Sequence, residues 1–514
     1  MKKEAAMVLL TSQCRRTWLC VLTTLVLLLG CIPHREVQAE PEMTNQTISD
    51  KISDEMLLDP GVVSTRLDIQ TEDGIVTLSG QVNNILAKER AVRIAETVKG
   101  VRAVVNRIEV KPSPLRTDDA IKKDIKTALR TDPATEAREI DVRVNEGAVK
   151  LTGKVESYQE LDLVRKVAQG VRGVVDLQEE IHVFYKDERP DQEIEEEVQE
   201  TLRWDSQIND HMITVTVDQG QVKLAGVVGS AAEVRMAKAD AWVAGVDDVD
   251  TEHLEVDPWI REEKLRGDKF VSKTEEEISS AVQDALLRDP RVKFFNVDVE
   301  VTGRTVTLRG TVDNLKARRA AARDAKNTVG VSYVENRLKT RFNQNREDSA
   351  IAADVRDAFY RDPYIERFDI TVTVLNDTAY LYGKVDSQYE KDRADDLASR
   401  VPGVVDVRNF LSVAEQRPYV SDPYIDDLFI DQDALVRYDR RSPYQSDKEI
   451  KNEIEDELWW SPFVSSEKIK VSVDDGIATL KGQVSSWSER RASTENAYEG
   501  GALLVDNELV VNSD

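Results

Sequence analysis

The side chains that most often carry out chemistry in proteins are sparse in this 514-residue chain. The four histidines are His34, His182, His211 and His253. They fall at unlike repeat positions, and no two have the spacing of metal ligands. No serine or cysteine lies in a nucleophile motif such as Gly-x-Ser-x-Gly, and the aspartates from Asp422 to Asp439 lack the pattern of a calcium-binding loop. We therefore predict a protein with no enzymatic activity, no metal and no cofactor.

The three cysteines all lie in the N-terminal segment, at Cys14, Cys20 and Cys31. The remaining chain therefore has no thiol for a disulfide or a zinc site. The same segment has four basic residues and then an apolar run over residues 18–29. Because a membrane span needs roughly 20 apolar residues, this shorter run predicts the core of a signal peptide.

The segment ends in Leu28-Leu29-Gly30-Cys31, which resembles a bacterial lipobox. The resemblance implies that residues 1–31 are a signal peptide with lipobox and that Cys31 is lipidated. Two or more acyl chains would anchor the chain stably. Because Ile32, not aspartate, follows the cysteine, the lipoprotein family implies the outer membrane. The alternatives are cleavage after Ala39, which would give a soluble periplasmic protein, and an uncleaved anchor.

The chain is strongly acidic, with 70 lysines and arginines against 96 aspartates and glutamates and a net charge of -26. Binding to a phosphate backbone needs clustered cations, so we predict no nucleic-acid partner. Anionic lipid headgroups repel an acidic protein. The charge therefore favours envelope proteins over phospholipid as partners.

The stretch Asp73-Gly-Ile-Val-Thr-Leu-Ser-Gly80 occurs in six related copies, whose last residues are 73, 73, 84, 73 and 99 positions apart. These closing glycines are Gly80, Gly153, Gly226, Gly310, Gly383 and Gly482. A fixed period indicates tandem copies of one small domain. We expect a side chain at a closing glycine to clash where strand meets helix. The six repeats, numbered 1 to 6, are predicted at residues 45–111, 117–184, 191–257, 273–341, 346–414 and 446–512.

The residue pattern of each repeat predicts elements in the order helix, strand, strand, helix, strand. In repeat 2, Ile121, Ile125 and Leu129 form one apolar helix face, and the helix ends at Asp132 because Pro133 follows. Alternating apolar residues then predict two strands around a tight turn. An alanine recurs 15 residues after each closing glycine and indicates a second helix lying close against the sheet. These alanines are Ala95, Ala168, Ala241, Ala325, Ala398 and Ala497. The fold class is α+β: a tandem array of six small αββαβ domains, each a three-stranded sheet covered by two helices. Because such small domains are marginally stable, neighbours should pack together.

This set of features resembles the BON domain of bacterial envelope proteins, because the hairpin glycines, the alanine and a pair such as Gly100-Val101 recur together at matching distances. The resemblance implies a non-enzymatic scaffold that binds envelope proteins or phospholipid surfaces. It would support envelope integrity or the osmotic-stress response. A soluble periplasmic chaperone for outer-membrane proteins and an ion- or ligand-sensing protein are the alternatives. The oligomeric state stays open.

Three tryptophans are candidates for binding a partner. Trp204 and the pair Trp459 and Trp460 lie at the ends of first helices. Tryptophan at such a surface can anchor a partner or insert at a lipid interface. The alternative is packing against the adjacent repeat.

A basic patch and a linker are two further candidates for binding a partner. Arg318, Arg319 and Arg323 on the second helix of repeat 4 could meet phospholipid, the alternative being ordinary solvation. The linker over residues 415–445 is acidic and rich in tyrosine and proline. It could dock a partner, fold across repeats 5 and 6, or serve as a spacer.

Overall fold

The computed structural model describes residues 43–62, 67–112, 116–132, 134–135, 140–185, 189–259, 269–292, 296–341, 346–365, 369–414 and 445–511. The predicted signal peptide with Cys31 lies outside these residues, as does the linker up to residue 444.

Each repeat has the predicted order of elements, which confirms the α+β tandem array. Repeat 1 contains α1 (Asn45–Leu58), β1 (Leu67–Glu72), β2 (Ile75–Val82), α2 (Ile85–Glu96) and β3 (Ala103–Val110). Repeat 2 contains α3 (Asp118–Thr131), β4 (Ile140–Asn145), β5 (Ala148–Val155), α4 (Tyr158–Gln169) and β6 (Asp176–Val183). Repeat 3 contains α5 (Asp191–Trp204), β7 (Ile213–Asp218), β8 (Gln221–Val228), α6 (Ala231–Asp240) and β9 (Asp248–Val256).

The second half of the chain repeats this order. Repeat 4 contains α7 (Glu275–Arg288), β10 (Val297–Thr302), β11 (Thr305–Val312), α8 (Leu315–Asn327) and β12 (Tyr333–Thr340). Repeat 5 contains α9 (Asp348–Arg361), β13 (Ile370–Leu375), β14 (Thr378–Val385), α10 (Gln388–Ser399) and β15 (Asp406–Val413). Repeat 6 contains α11 (Asp447–Trp460), β16 (Ile469–Asp474), β17 (Ile477–Val484), α12 (Trp487–Glu499) and β18 (Leu504–Val511).

The three strands of each sheet lie in sequence order. The central strand pairs antiparallel with the first strand and parallel with the third, as β5 does with β4 and β6. At the hairpin turn Glu146 and Gly147 both have positive φ, the conformation of a tight two-residue turn. Their N–H groups each donate at 2.9 Å to the carboxylate of Asp118 in the first turn of α3. The start of the first helix is thereby tied to the hairpin.

Four of the closing glycines, Gly226, Gly310, Gly383 and Gly482, have no room for a side chain, but the obstacle differs from the one expected from sequence. At Gly310 φ is +127°, and a Cβ would lie 1.9 Å from the carbonyl oxygen of Asn296. Asn296 immediately precedes β10, the strand paired with β11. The clash therefore lies within the sheet, against backbone, and not between strand and helix.

Each repeat has its own hydrophobic core between the sheet and the two helices. The recurrent alanine of the second helix is fully buried in all six repeats, as its small size predicts. Neighbours also share residues: Ile85 of repeat 1 packs in the core of repeat 2, and Leu315 of repeat 4 packs in that of repeat 5. Residues 43–514 thus form one compact unit.

Repeats also pair through one recurring backbone hydrogen bond, both between consecutive repeats and between repeats distant in sequence. A glycine follows the second helix, and the residue just before this glycine donates its N–H. The acceptor is the carbonyl oxygen of the last residue of the first helix in another repeat. These bonds run from Lys99 to Trp460 at 2.9 Å, from Arg172 to Arg361 at 2.6 Å and from Val329 to Trp204 at 3.0 Å. They join repeat 1 to 6, 2 to 5 and 4 to 3. In repeat 5 the donor position is Pro402, which has no N–H.

Candidate functional site

A cavity of about 810 Å³ lies where the repeats meet, and residues from all six line it. Its wall contains 12 lysines and arginines against 9 aspartates and glutamates. This excess of positive charge is opposite in sign to the net charge of -26 on the whole chain. Since charged groups away from bulk water must be paired or hydrated, the cavity suits water and ions better than an apolar ligand.

One part of the wall is an ion-pair network in repeat 4. Asp289 accepts hydrogen bonds from Arg291 at 2.6 Å and from Arg323 at 3.0 Å. Burial opposes ionisation of Asp289, but the two guanidinium groups outweigh it and hold the pKa of this carboxyl well below its usual range. Burial raises the pKa of the neighbouring Asp324 to about 7, although Arg323 opposes the rise. The network therefore gains or loses a proton near neutral pH.

A second part of the wall belongs to repeat 3. The Asp205 and Asp240 carboxyl groups hydrogen-bond to one another, and burial raises the pKa of both. The buried Lys269 lies beside them and donates to the carbonyl oxygen of Leu202 at 2.8 Å and to Asp210 at 2.9 Å. Burial also lowers the pKa of Lys269. These paired groups stabilise the contact between repeat 3 and Lys269, which lies in the segment that joins repeats 3 and 4.

Three glutamates form a further cluster between repeats 1 and 6. The nearest carboxylate oxygens of Glu55, Glu457 and Glu499 all lie within 4.8 Å of one another, close enough to hold a metal ion. The Lys51 ammonium lies among them, 2.5 Å from Glu457 and 3.0 Å from Glu55. Burial and then Glu55 raise the pKa of Glu457 to about 8, and burial raises that of Glu499 well above its usual range. Lys51 and bound protons thus balance the acidic groups.

The three candidate tryptophans lie at contacts between repeats. Trp460 is 5% exposed and packs in the core of repeat 1. The Trp459 ring contacts Trp460 edge-on. The Lys99 ammonium lies 4.7 Å from the centre of the Trp459 ring and 4.7 Å from that of Trp259. Trp204 is half-buried at the contact with repeat 4. Partner binding through Trp204, Trp459 and Trp460 stays a prediction.

The candidate basic patch contributes to ion pairs between elements. Arg319 pairs with Asp395 of repeat 5 at 2.5 Å, and Arg323 pairs with Asp289 within repeat 4. Arg318 is half-buried, and its carbonyl oxygen accepts a hydrogen bond from Asn336 at 2.8 Å. Binding of phospholipid by these arginines stays a prediction.

Sequence reasoning missed two buried ion pairs. The Arg90 guanidinium binds the Asp59 carboxylate at 2.7 Å with both side chains fully buried. Arg393 and Asp362 form the same pair in repeat 5, also at 2.7 Å. Arg90 in turn lies 4.6 Å from the ring of Tyr389 of repeat 5. The sequence did contain a signal for both pairs. In each of these two repeats an arginine follows 31 residues after the aspartate that ends the first helix.

The membrane association predicted from Cys31 lies outside the described residues. Within the part of the chain that the structure describes, no helix is both long and apolar enough to cross a bilayer.

Three proteins of known description resemble parts of the chain. Osmotically-inducible protein Y of Escherichia coli K12 is 28% identical over 145 residues, which are 27% of this chain and 72% of that protein. Outer membrane lipoprotein DolP of Haemophilus influenzae is 31% identical over 137 residues, 25% of this chain and 69% of that protein. The 21 kDa hemolysin of Actinobacillus pleuropneumoniae is 28% identical over 141 residues, 27% of this chain and 71% of that protein.

The family comparison covers far more of the chain. The model of the BON domain matches all six repeats. The matched residues are 44–112, 117–183, 190–258, 274–341, 347–415 and 446–513. Together with the fold of each repeat, this match shows that the chain belongs to the BON-domain family and contains six copies of that domain.

Proposed function

We propose that this chain is a non-enzymatic scaffold of the bacterial cell envelope, which binds other envelope proteins and supports envelope integrity under osmotic stress. The family has members associated with the envelope and with osmotic induction, as the names of two relatives record. The lipobox that ends in Cys31 would hold the chain at the outer membrane, with the repeats in the periplasm.

The observation that carries this proposal is the packing of six BON domains into one unit. Second helices and helix ends are used for contacts between repeats, and the alternate residues of each strand face outward. The chain therefore presents several distinct sheet faces on one body. Such a body can hold several partners at once, and binding through more than one face increases the overall affinity.

Protein partners fit the charge better than phospholipid does. The net charge of -26 opposes approach to an anionic bilayer surface. Two of the three arginines in the candidate basic patch already contact carboxylates. We expect little sedimentation of the chain lacking residues 1–31 with vesicles that contain anionic phospholipid. Strong sedimentation that Arg319→Glu abolishes would favour a phospholipid surface instead.

Crosslinking in intact cells tests the scaffold. Wild type, Cys31→Ala and the matched control Cys20→Ala are compared for membrane partition and for co-purified proteins. We expect wild type and Cys20→Ala to partition with the outer membrane and to bring down the same defined set of proteins, while Cys31→Ala is unprocessed or soluble. If all three are processed and soluble with only transient clients, cleavage after Ala39 and a free periplasmic chaperone are the better account.

A further inference from the structure

The outer face of the repeat 5 sheet is apolar where a solvent-facing sheet should be polar. Leu375, Tyr380, Tyr382 and Phe410 all lie on this face, and we call them the aromatic face. Phe410 and Leu375 are both 57% exposed and Tyr382 is 44% exposed. Tyr382 and Phe410 are paired in adjacent strands, and their rings stack with centroids 5.3 Å apart. A contiguous apolar patch of this kind usually marks an interaction site.

Among the described strands of the other five repeats, no sheet has such a face. The strand register identifies the equivalent residues. At the position of Phe410 these are Arg107, Glu180, His253, Arg337 and Glu508. At the position of Tyr382 they are Ser79, Thr152, Ala225, Arg309 and Lys481. At the position of Leu375 they are Glu72, Asn145, Asp218, Thr302 and Asp474. The aromatic face is therefore specific to repeat 5 and is not required by the fold.

Repeat 5 is also the repeat that precedes the longest linker. Described residues stop at Ala414, one residue after β15, and resume at Gln445. The intervening residues 415–444 contain four tyrosines and Phe429 together with several leucines and isoleucines. Their charge is negative, with 7 acidic and 4 basic residues. On the outer face Arg408 and Lys384 are exposed beside the aromatic residues. Arg408 pairs with Asp406 at 2.9 Å, and Lys384 adds a further positive charge that complements the acidic segment.

The linker is tethered close enough to reach this face. Phe410 lies five residues before Glu415 in sequence. At roughly 3.3 Å per residue, the linker needs only a few residues to turn back over the strands. Its short tether gives an effective concentration on the order of millimolar, so modest apolar contacts would suffice for docking.

We propose that residues 418–438 of the same chain dock on the aromatic face of repeat 5. The tyrosines, Phe429 and the aliphatic residues cover the exposed rings, and the acidic residues meet Arg408 and Lys384. The contact removes the aromatic face of repeat 5 from water, so that the chain does not self-associate through this face.

Photo-crosslinking of the full chain tests the contact directly. Tyr382→p-benzoylphenylalanine is irradiated, and the crosslinked peptides are mapped by mass spectrometry. We expect intramolecular crosslinks to peptides within residues 418–438. The matched control is the same replacement at Arg309, the equivalent position of repeat 4, and we expect no crosslink to the linker from it. Crosslinks from Tyr382 only to a second copy, only to a different protein, or to nothing would overturn the proposal.

A second measurement replaces two residues of the aromatic face by the residues that repeat 2 has at the same positions. The double variant Tyr382→Thr with Phe410→Glu carries the residues of repeat 2 at these positions. We expect proteolysis within residues 418–438 to become about fivefold faster or more, because the docked fraction falls. The melting temperature and circular dichroism verify that repeat 5 still folds. If a correctly folded variant shows an unchanged cleavage rate, the linker does not occupy this face.

Discussion

The contact between repeats 1 and 6 and the contact between repeats 3 and 4 share one backbone hydrogen bond and differ in what surrounds it. Between repeats 3 and 4, Trp204 is half-buried and donates to Glu200 of its own helix. A second backbone bond runs from the N–H of Ser206 to the carbonyl of Asn327 at 3.0 Å. Between repeats 1 and 6, the equivalent Trp460 is buried in the core of its partner.

Sequence distance accounts for the difference. Repeats 3 and 4 are consecutive in the chain, so their effective concentration is high. Their backbone bonds are supplemented by the hydrogen bond that the Arg288 side chain donates to Thr201 at 2.8 Å. Repeats 1 and 6 lie at opposite ends of the chain, and closing so long a loop costs more entropy. Their contact adds a buried indole and the hydrogen bond that Lys51 donates to Glu457. Contacts between distant repeats therefore need more interaction energy of their own.

The largest effect is expected from Gly310→Val. A Cβ here would lie 1.9 Å from the Asn296 carbonyl oxygen, so repeat 4 should lose its fold at a cost of at least about 4 kcal/mol. We expect proteases to digest residues 273–341 while repeats 1 and 6 remain resistant. The measurement is limited proteolysis with mass spectrometry.

The control for this change is Gly303→Asn, because Gly303 also has positive φ but no atom lies within 4 Å of a Cβ placed there. It should resemble wild type, since asparagine tolerates this conformation. Unchanged protease resistance of residues 273–341 in Gly310→Val would contradict the account of the closing glycine.

Trp460→Ala should be the next most damaging change. It leaves a hole in the core of repeat 1 and should cost about 3–5 kcal/mol of unfolding free energy. Denaturant titration measures this loss. In a chain cut once within residues 415–444, we also expect repeat 6 to co-elute with the rest of the protein when Trp460 is present and to separate when it is alanine. Equal behaviour of the two cut chains would show that this side chain does not hold repeat 6.

The same contact should respond to pH through Glu457. The pKa of this group is about 8 in the folded chain against an ordinary value of 4.5. The unfolded chain therefore releases the proton first, and stability falls as pH rises from 4.5 to 8, by about 1.4 kcal/mol per pH unit for one proton. Glu457→Gln should remove the contribution of Glu457 to this slope in denaturant titrations at several pH values, and the contribution of Glu499, whose pKa burial also raises, should remain. Glu453→Gln, on the exposed side of the same helix, is the control and should keep it; matching slopes in all three proteins would argue against a proton on Glu457.

Trp204→Ala should have the smallest effect of the four. Its ring is half-buried and the backbone bonds to repeat 4 remain, so we expect a loss of about 1 kcal/mol. The same denaturant titration applies. A loss as large as that from Trp460→Ala would remove the distinction between the two contacts.

Local features of the fold were predictable because their causes are local. The spacing of Ile121, Ile125 and Leu129 fixes one helix face, and all three are buried. Glu146-Gly147 predicts a tight turn, and both residues have the required positive φ. The candidate site was harder to predict from the sequence. Neither the pairing of Arg90 with Asp59 nor the placement of Trp460 in repeat 1 follows from local spacing, because each joins elements that only the folded chain brings together.

The number of repeats, the order of their elements and the position of the closing glycines follow from the amino-acid sequence alone. These depend on hydrophobic periodicity and backbone conformation, which act over a few residues. Tertiary structure alone decided which repeats pair, which charges meet at the central cavity and which sheet face carries exposed aromatic rings beside a linker. Those outcomes depend on complementarity between surfaces far apart in the chain, and each repeat offers similar helix ends to several neighbours. Single residues such as Pro402, which cannot donate a backbone hydrogen bond, then restrict which pairs form.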